Sequence, residues 1–300
     1  MVFRPDFWRY LSGMRHFIPF IFCVLAVVLS PSCSTTIIPV DQLPADSTIT
    51  NVELENYINR TYIALLNRKP SDAELATALG QLDVDRYDRE IRNMYILGLQ
   101  NRPISKWAAW QFLSDRLVDG VDTGSVYDDR DWFQEQYDNA SSPGDAAWWG
   151  MLLEKSNNHI NAMHGWFEGD TSYTALSSWM VRLYNYDEIN AGTENFVVSI
   201  YQHFFHRYPT DVELAQASDM VDRQWALLYG TNGNSKADFL NIIFSSGEYE
   251  QGMVISLFES YYNRTPNTNE TLKYLDLIQQ NWTRTELQRY ILTSSEYVNS

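Results

Sequence analysis

A motif that occurs three times most constrains what this chain can fold into. Each copy has an aromatic residue six positions before an arginine, a proline two positions after it and a glutamate six positions after it. The arginine, proline and glutamate of the three copies are Arg68, Pro70 and Glu74; Arg207, Pro209 and Glu213; and Arg264, Pro266 and Glu270. Repetition of this kind indicates that one supersecondary unit is used several times.

The residues around this motif predict a pair of helices. Before each arginine, apolar side chains recur at the spacing of one helical face, and the following proline disfavours continuation of that helix. Ser71, Thr210 and Asn267 stand three positions before the motif glutamates, so a capped second helix should begin there. Because the arginine recurs with the motif, we expect it to form a structural ion pair with a carboxylate of the same unit.

A third helix is expected to complete each unit. In the last two units Ser235 and Thr283 precede an acidic residue by three positions and should cap this helix. We expect it to end in the sequence Ser-x-Glu-Tyr, which contains Tyr249 in one unit and Tyr297 in the other. In the first unit the third helix is predicted over Tyr87–Leu99, without that ending. The sequence therefore predicts an all-α fold of short helical units with a Trp-rich helical middle.

The aromatic residue, the Arg-x-Pro sequence and the Ser-x-Glu-Tyr sequence together resemble a small helical repeat of unknown function. This repeat occurs in bacterial exported and surface-layer-associated proteins and is itself similar to the phycobilisome linker fold. The resemblance covers residues 194–300 well and residues 51–100 partly. It implies a helical packing and linking module outside the cytoplasm. The family carries no known catalytic residues, so the resemblance assigns none to this chain.

The N-terminal sequence indicates export. Arg15 precedes an uncharged apolar run over residues 17–29, which is short for a bilayer span but typical of a signal-peptide core. Ser32 and Cys33 follow, and this arrangement resembles a bacterial lipoprotein signal, in which the cysteine becomes the first mature residue and carries the lipid. A plain signal peptide and an uncleaved anchor are the alternatives. Met14 is an alternative start to Met1, because it gives a more compact leader.

These features divide the chain into five predicted segments. They are a lipoprotein-type signal peptide (1–33), a tether (34–50), a first helical unit (51–103), a Trp-rich helical middle (104–190) and two helical repeat units (191–300). The lipid would hold the protein in the bacterial cell envelope, and we expect the outer membrane. No acidic cluster follows Cys33 closely, which favours the periplasmic side over the cell surface.

Charge and aromatic content narrow the choice of partner. The formal net charge of −16 argues against nucleic acid, which requires a basic face. Trp148, Trp149 and Trp166 in the middle segment are the candidate ligand or partner surface, because indole rings can stack on sugars. Tryptophan is also an ordinary filler between helices, so core packing is the competing interpretation.

Other chemistry finds less support in the sequence. Asp122-Thr123-Gly124 resembles one half of an aspartic protease site, but no second copy exists and a turn is expected. Aspartates crowd residues 115–131, where a calcium loop or a solvated acidic loop is possible. His203 and His206 lack a third zinc ligand nearby, and His206 occupies the position of Asn67 and Asn263 in the other units, which suggests a shared structural role. We predict no catalytic residue, no metal site and no cofactor.

Two functions are compatible with these observations. The first is a non-enzymatic envelope lipoprotein whose helical units form a scaffold or binding module for another exported protein. The second is a glycan-binding or glycan-cleaving protein that uses the Trp-rich middle. In both cases the chain would also contact the membrane through its N-terminal lipid.

Overall fold

Helices make up almost all of the regular structure. The computed structural model describes residues 49–299 and contains 15 helices there, which confirms the predicted all-α fold. The predicted signal peptide, the lipid-attachment residue Cys33 and nearly all of the predicted tether lie outside the described residues. Between residues 49 and 299, no helix combines the length and the apolar character needed to cross a membrane.

The described elements follow one another with short connections. The helices are α1 (Asn51–Leu66), α2 (Asp72–Leu82), α3 (Arg89–Gln100), α4 (Pro103–Leu117), α5 (Thr123–Asp138), α6 (Pro143–Glu168), α7 (Tyr173–Met180), α8 (Tyr184–Ile189), α9 (Thr193–Phe205), α10 (Asp211–Val221), α11 (Lys236–Phe244), α12 (Gly247–Tyr262), α13 (Thr268–Gln279), α14 (Arg284–Leu292) and α15 (Ser295–Asn299). Strands β1 (Ala226–Leu228) and β2 (Thr231–Gly233) form an antiparallel hairpin between α10 and α11, with Leu227 opposite Asn232.

Local hydrogen bonds explain where many of these helices begin. Ser71, Thr210 and Asn267 each accept a hydrogen bond from the backbone N–H of the motif glutamate, whose carboxylate accepts one from the capping residue's own N–H. Ser235 and Thr283 cap α11 and α14, as predicted. Each cap satisfies N–H groups that the first turn of a helix leaves without a partner.

The helices before the three motif arginines end in the same way. Asn67, His206 and Asn263 occupy the C-cap with left-handed backbone angles, at φ of 52°, 55° and 53°. Asparagine and histidine adopt this conformation more readily than most residues. His206 therefore shares its position with the two asparagines because each residue must adopt left-handed backbone angles there.

The prediction that the third helix ends in Ser-x-Glu-Tyr is wrong. Helix α11 ends at Phe244, and Ser246 instead caps α12 by accepting a hydrogen bond from the N–H of Tyr249 at 3.2 Å. Ser294 makes the same contact with Tyr297 at 3.1 Å, at the start of α15. A serine three positions before its hydrogen-bond donor is the geometry of a helix start. The motif therefore opens the next helix.

Three clusters of buried apolar side chains form the interior. The first draws on α4 and on α6–α12 and surrounds Trp110, Tyr201 and Phe239. The third lies between α12, α13 and α14. Since the first cluster includes residues on both sides of position 190, the fold continues across a predicted domain boundary; the domain boundaries themselves stay a prediction.

The second cluster joins the first helices to the last. Tyr57 and Tyr62 of α1 are fully buried with Leu292, Tyr297 and Val298 from the other end of the described chain. The hydroxyl of Tyr57 donates a hydrogen bond to the carbonyl of Leu292 at 3.0 Å. The first and last described helices therefore share one core.

Helices α9 and α12 cross at a glycine. A Cβ atom at Gly252 would lie 1.7 Å from the carbonyl oxygen of Phe204 and 3.2 Å from the Cα of Phe205. Both obstacles are backbone atoms, which cannot rotate away. Only glycine allows the two backbones to approach this closely.

Candidate functional site

Each motif arginine forms a two-point ion pair with the glutamate of its own motif. The guanidinium donates to both carboxylate oxygens, at 2.7 and 2.7 Å for Arg68–Glu74, 2.8 and 2.6 Å for Arg207–Glu213, and 2.8 and 2.7 Å for Arg264–Glu270. Parallel hydrogen bonds of this kind are strong and fix orientation. Hydrogen bonds from Arg207 hold the pKa of Glu213 at about 2, despite partial burial.

A second charged residue joins each of these pairs. Arg207 also contacts Glu248 at 2.5 Å, and Arg264 contacts Glu296 at 2.8 and 2.9 Å. These two glutamates belong to the Ser-x-Glu-Tyr sequences, so the arginine ties its own helix pair to the start of the following helix. Sequence reasoning missed this link, although the two motifs recur together.

In the first unit the additional charged residue is an arginine instead of a glutamate. No Ser-x-Glu-Tyr sequence is present there, and Arg102 at the N-cap of α4 donates to Glu74 at 2.8 Å. Glu74 thus lies between two arginines, Arg68 and Arg102, and their hydrogen bonds hold its pKa far below the usual range. The pattern of contacts is consequently structural, since it fastens one helix to the next in each case.

A cleft of about 750 Å³ lies among α1, α4, α12, α14 and the segment that connects α6 to α7. We call it the central cleft. Its aromatic wall includes Trp166, Tyr173 and Tyr261. The rings of Trp166 and Tyr173 meet edge to face at 6.0 Å. The indole N–H of Trp166 donates to the carbonyl of Lys106 at 2.8 Å, which fixes this ring against α4.

Amide and hydroxyl groups stand beside these rings. Gln100 donates to Gln288 at 3.0 Å, and both line the central cleft together with Asn263 and Thr171. Such groups offer both hydrogen-bond donors and acceptors. The central cleft therefore presents flat apolar surfaces and neutral polar groups side by side.

The ionisable residues of the lining, apart from tyrosines, are all basic. They are Arg60, Lys106 and Arg284, and no aspartate or glutamate occurs among the described residues that line the cleft. The guanidinium of Arg284 lies 4.0 Å from the centre of the Tyr173 ring. The ammonium of Lys106 donates to the carbonyl of Phe167 at 2.9 Å. These contacts hold both cations at the cleft wall.

The three candidate tryptophans do not form one surface. Trp148 and Trp149 belong to the first turns of α6, whereas Trp166 lies near its end, about 25 Å away at 1.5 Å per residue. Trp148 is 52% exposed. Trp149 packs edge to face on Trp132 at 5.1 Å, as part of an aromatic cluster. Of the three, Trp166 alone lines the central cleft.

The remaining candidates have local structural contacts. Asp122 is the N-cap of α5 and accepts a hydrogen bond from the N–H of Ser125 at 2.8 Å, so a helix begins where a turn was expected. His203 contacts the hydroxyl of Tyr186 at 3.0 Å, whereas His206 lies 3.1 Å from a carboxylate oxygen of Glu259. Within residues 49–299, no group of three or more His, Cys, Asp or Glu residues is arranged to hold a metal ion.

Comparison with known proteins adds no assignment. No protein-family model matches this chain, and no curated protein or solved structure matches it either. The resemblances to the helical repeat and to a lipoprotein signal stay predictions.

Proposed function

We propose that this protein is a non-enzymatic binding protein of the bacterial cell envelope that takes a glycan into the central cleft. The observation that carries the proposal is the composition of the cleft, in which Trp166, Tyr173 and Tyr261 stand among amides and hydroxyls. Its volume of about 750 Å³ is within the usual range of ligand pockets.

The chemistry of a sugar matches this wall. Sugar rings present C–H faces that pack on aromatic rings, and their hydroxyls need partners that both donate and accept, as the side chains of Asn263 and Thr171 do. Glycoside hydrolysis normally needs a pair of carboxylates beside the bond that breaks. The described lining of the cleft supplies none, which favours binding over cleavage.

We also propose that three parts of the fold are copies of one repeat unit. These are α1–α3, α9–α11 and α12–α14, each closed by the first turn of the next helix. The support is the shared geometry of the ion pairs made by Arg68, Arg207 and Arg264, and of the left-handed helix ends before them. In this interpretation the repeats form a scaffold that holds the cleft walls in place.

The cellular setting of the proposal comes from the sequence. A lipid on Cys33 and the tether over residues 34–50 would hold the helical body at the outer membrane, with the periplasmic side favoured. Glycans and glycan-bearing polymers are accessible to a protein in that position.

Intrinsic fluorescence tests the binding function. Soluble oligosaccharides should shift the emission of the purified protein, and Trp166→Phe should abolish the shift because this indole lies in the cleft wall. Trp148→Phe is the matched control, since it removes an exposed indole outside the cleft. A shift that survives in Trp166→Phe, or no response to any oligosaccharide, would contradict the proposal.

A second candidate function is a scaffold for another exported protein. It is favoured by exposed apolar side chains at and near the hairpin, where Trp225 is 75% and Tyr208 68% exposed. A photo-cross-linking residue at position 225 should capture one protein at near-equal amount in native envelopes. The same residue at Leu272, which is 61% exposed on α13, is the control. Equal capture at both positions would count against this function.

A further inference from the structure

We propose that the glycan taken by the central cleft is acidic, that Arg284 binds its carboxylate, and that Lys106 adds positive charge to the same wall. The inference rests on the proposed glycan-binding function and names the class of sugar. It is carried by the charges of the cleft wall and by the unusual surroundings of Arg284.

The sign of the charge in the cleft is opposite to that of the chain. The sequence has 38 acidic against 22 basic residues, yet the described lining contains three basic residues and no carboxylate. Since like charges repel, an acidic chain that gathers cations around one cleft creates a local site for an anion. The excess negative charge elsewhere would steer anions away from the rest of the surface.

Arg284 differs from the motif arginines in its partners. Arg68, Arg207 and Arg264 each bind a carboxylate, whereas no ion pair joins Arg284 to a carboxylate in the part of the chain that the structure describes. Its guanidinium lies 4.0 Å from the centre of the Tyr173 ring, and the other groups that influence its charge are the tyrosines Tyr249 and Tyr261.

Among the described residues, Arg284 gains no ion pair from its position in the fold, although Glu286 lies in the same turn, because the carboxylate of Glu286 accepts hydrogen bonds from Thr283. It is the first residue of α14, where the helix dipole is positive and disfavours a cation. A partly buried guanidinium has five N–H donors in a fork that fits a carboxylate. A bound carboxylate would supply the negatively charged partner that residues 49–299 do not.

Lys106 is held on the same aromatic wall. Its ammonium donates one hydrogen bond to the carbonyl of Phe167, so two of its three N–H donors can bind a ligand. Its own carbonyl accepts from Trp166, whose ring contacts Tyr173, and Tyr173 contacts Arg284. This chain of contacts places the backbone of Lys106 and the guanidinium of Arg284 at either end of a pair of aromatic rings. A sugar ring that packs on Trp166 and Tyr173 would have its carboxylate beside a positively charged part of the wall.

The neutral groups of the cleft favour a sugar acid over a simple anion or a peptide. Stacking surfaces and amides next to the cations match a ring that carries several hydroxyls and one carboxylate. A uronic acid is the plainest case of that chemistry. A peptide with a free C-terminal carboxylate shares the charge but not the hydroxyl-rich ring, and it therefore serves as a competing outcome of the test.

Calorimetric titration of the purified full-length protein tests the proposal. The probes are tetramers of galacturonic, glucuronic and mannuronic acid, each paired with its methyl ester, which keeps the sugar and removes the charge. We expect at least one acid to bind at least tenfold more tightly than its ester, and the difference to shrink with added salt. Arg284→Gln should weaken acid binding at least tenfold and reduce the ratio of acid affinity to ester affinity at least tenfold.

Two further variants keep the result interpretable. Lys106→Met should weaken acid binding in the same direction, and it provides a second test if Arg284→Gln does not fold. Arg130→Gln removes the same charge from α5, outside the cleft lining, and should have no effect.

The outcomes separate the two proposals. If acid and ester bind equally, or if Arg284→Gln and Lys106→Met bind the acid normally, the acidic-glycan inference is overturned while glycan binding stands. If none of the sugars binds, the proposed function fails as well. If a pentapeptide with a free carboxyl terminus binds more tightly than every sugar acid, and its amide does not, the sugar assignment is overturned.

Discussion

The close crossing of α9 and α12 gives the sharpest prediction about stability. Replacing Gly252 by alanine adds one methyl group that would lie 1.7 Å from the carbonyl oxygen of Phe204 and 2.7 Å from its carbonyl carbon. A normal contact between such atoms exceeds about 3 Å, so the two helices must separate by more than about 1 Å. That movement loosens side-chain packing in the first cluster.

The magnitude follows from two opposing effects. Alanine is better than glycine inside a helix by about 1 kcal/mol. Overpacking of a well-packed interior typically costs about 1–3 kcal/mol, and a backbone obstacle puts this site above that range because no rotamer change relieves it. We therefore expect Gly252→Ala to lower the free energy of unfolding by about 2 kcal/mol or more. For a chain of this size the Tm should fall by roughly 4–8 °C.

Urea and thermal unfolding followed by circular dichroism measure the effect. Gly98→Ala on α3 is the matched control, because a Cβ there meets no atom within 4 Å. That variant should keep or gain up to about 1 kcal/mol from helix propensity. If Gly252→Ala is as stable as the parent while Gly98→Ala behaves as expected, α9 and α12 do not approach each other as closely as described.

Three further predictions concern pH, the ion pairs and the shared core. Burial lowers the pKa of His159 from 6.5 to about 4. Neutral His159 therefore stabilises the fold fully above pH 6.5, and this stabilisation is lost as the pH falls towards 4. The free energy of unfolding should be lower by about 2 kcal/mol at pH 5, and His159→Leu should flatten the dependence of Tm on pH between pH 6.5 and 4. Arg264→Ala should cost about 1 kcal/mol in urea unfolding, since its pairs with Glu270 and Glu296 are partly exposed, and a loss near zero would contradict a fastening role. Tyr297→Ala should cost about 3 kcal/mol because its ring is buried in the second cluster; an unchanged Tm would mean that α15 does not pack there.

Features that depend on a few neighbouring residues could be predicted from the sequence. The caps at Ser71 and Thr210 are examples, because a capping residue and its partner lie three positions apart. The Ser-x-Glu-Tyr sequence also depends on neighbouring residues only. Its serine follows an apolar stripe, however, and that arrangement is compatible with the end of one helix or with the start of the next. The hydrogen bond from the N–H of Tyr249 to Ser246 distinguishes the two.

Features that depend on distant residues could not be predicted. Glu248 meets Arg207 across 41 positions, and sequence periodicity carries no information about which charged side chains meet at that separation. The central cleft draws its lining from residues as far apart as Ile63 and Tyr297. Trp148 and Trp166 are both tryptophans of the same Trp-rich segment, but they lie near opposite ends of α6. Only the packing of α6 shows which of them lines the cleft.

The shared core of the first and last helices has a consequence for the order of folding. Tyr57 and Tyr62 leave the ribosome long before Leu292, Tyr297 and Val298, and the contact between Tyr57 and Leu292 spans 235 positions. Contacts of such long sequence separation form slowly, because a long loop must close before they give any stabilisation. The second cluster therefore cannot be completed until Val298 has been made, and until then Tyr57 and Tyr62 lack part of the core that buries them.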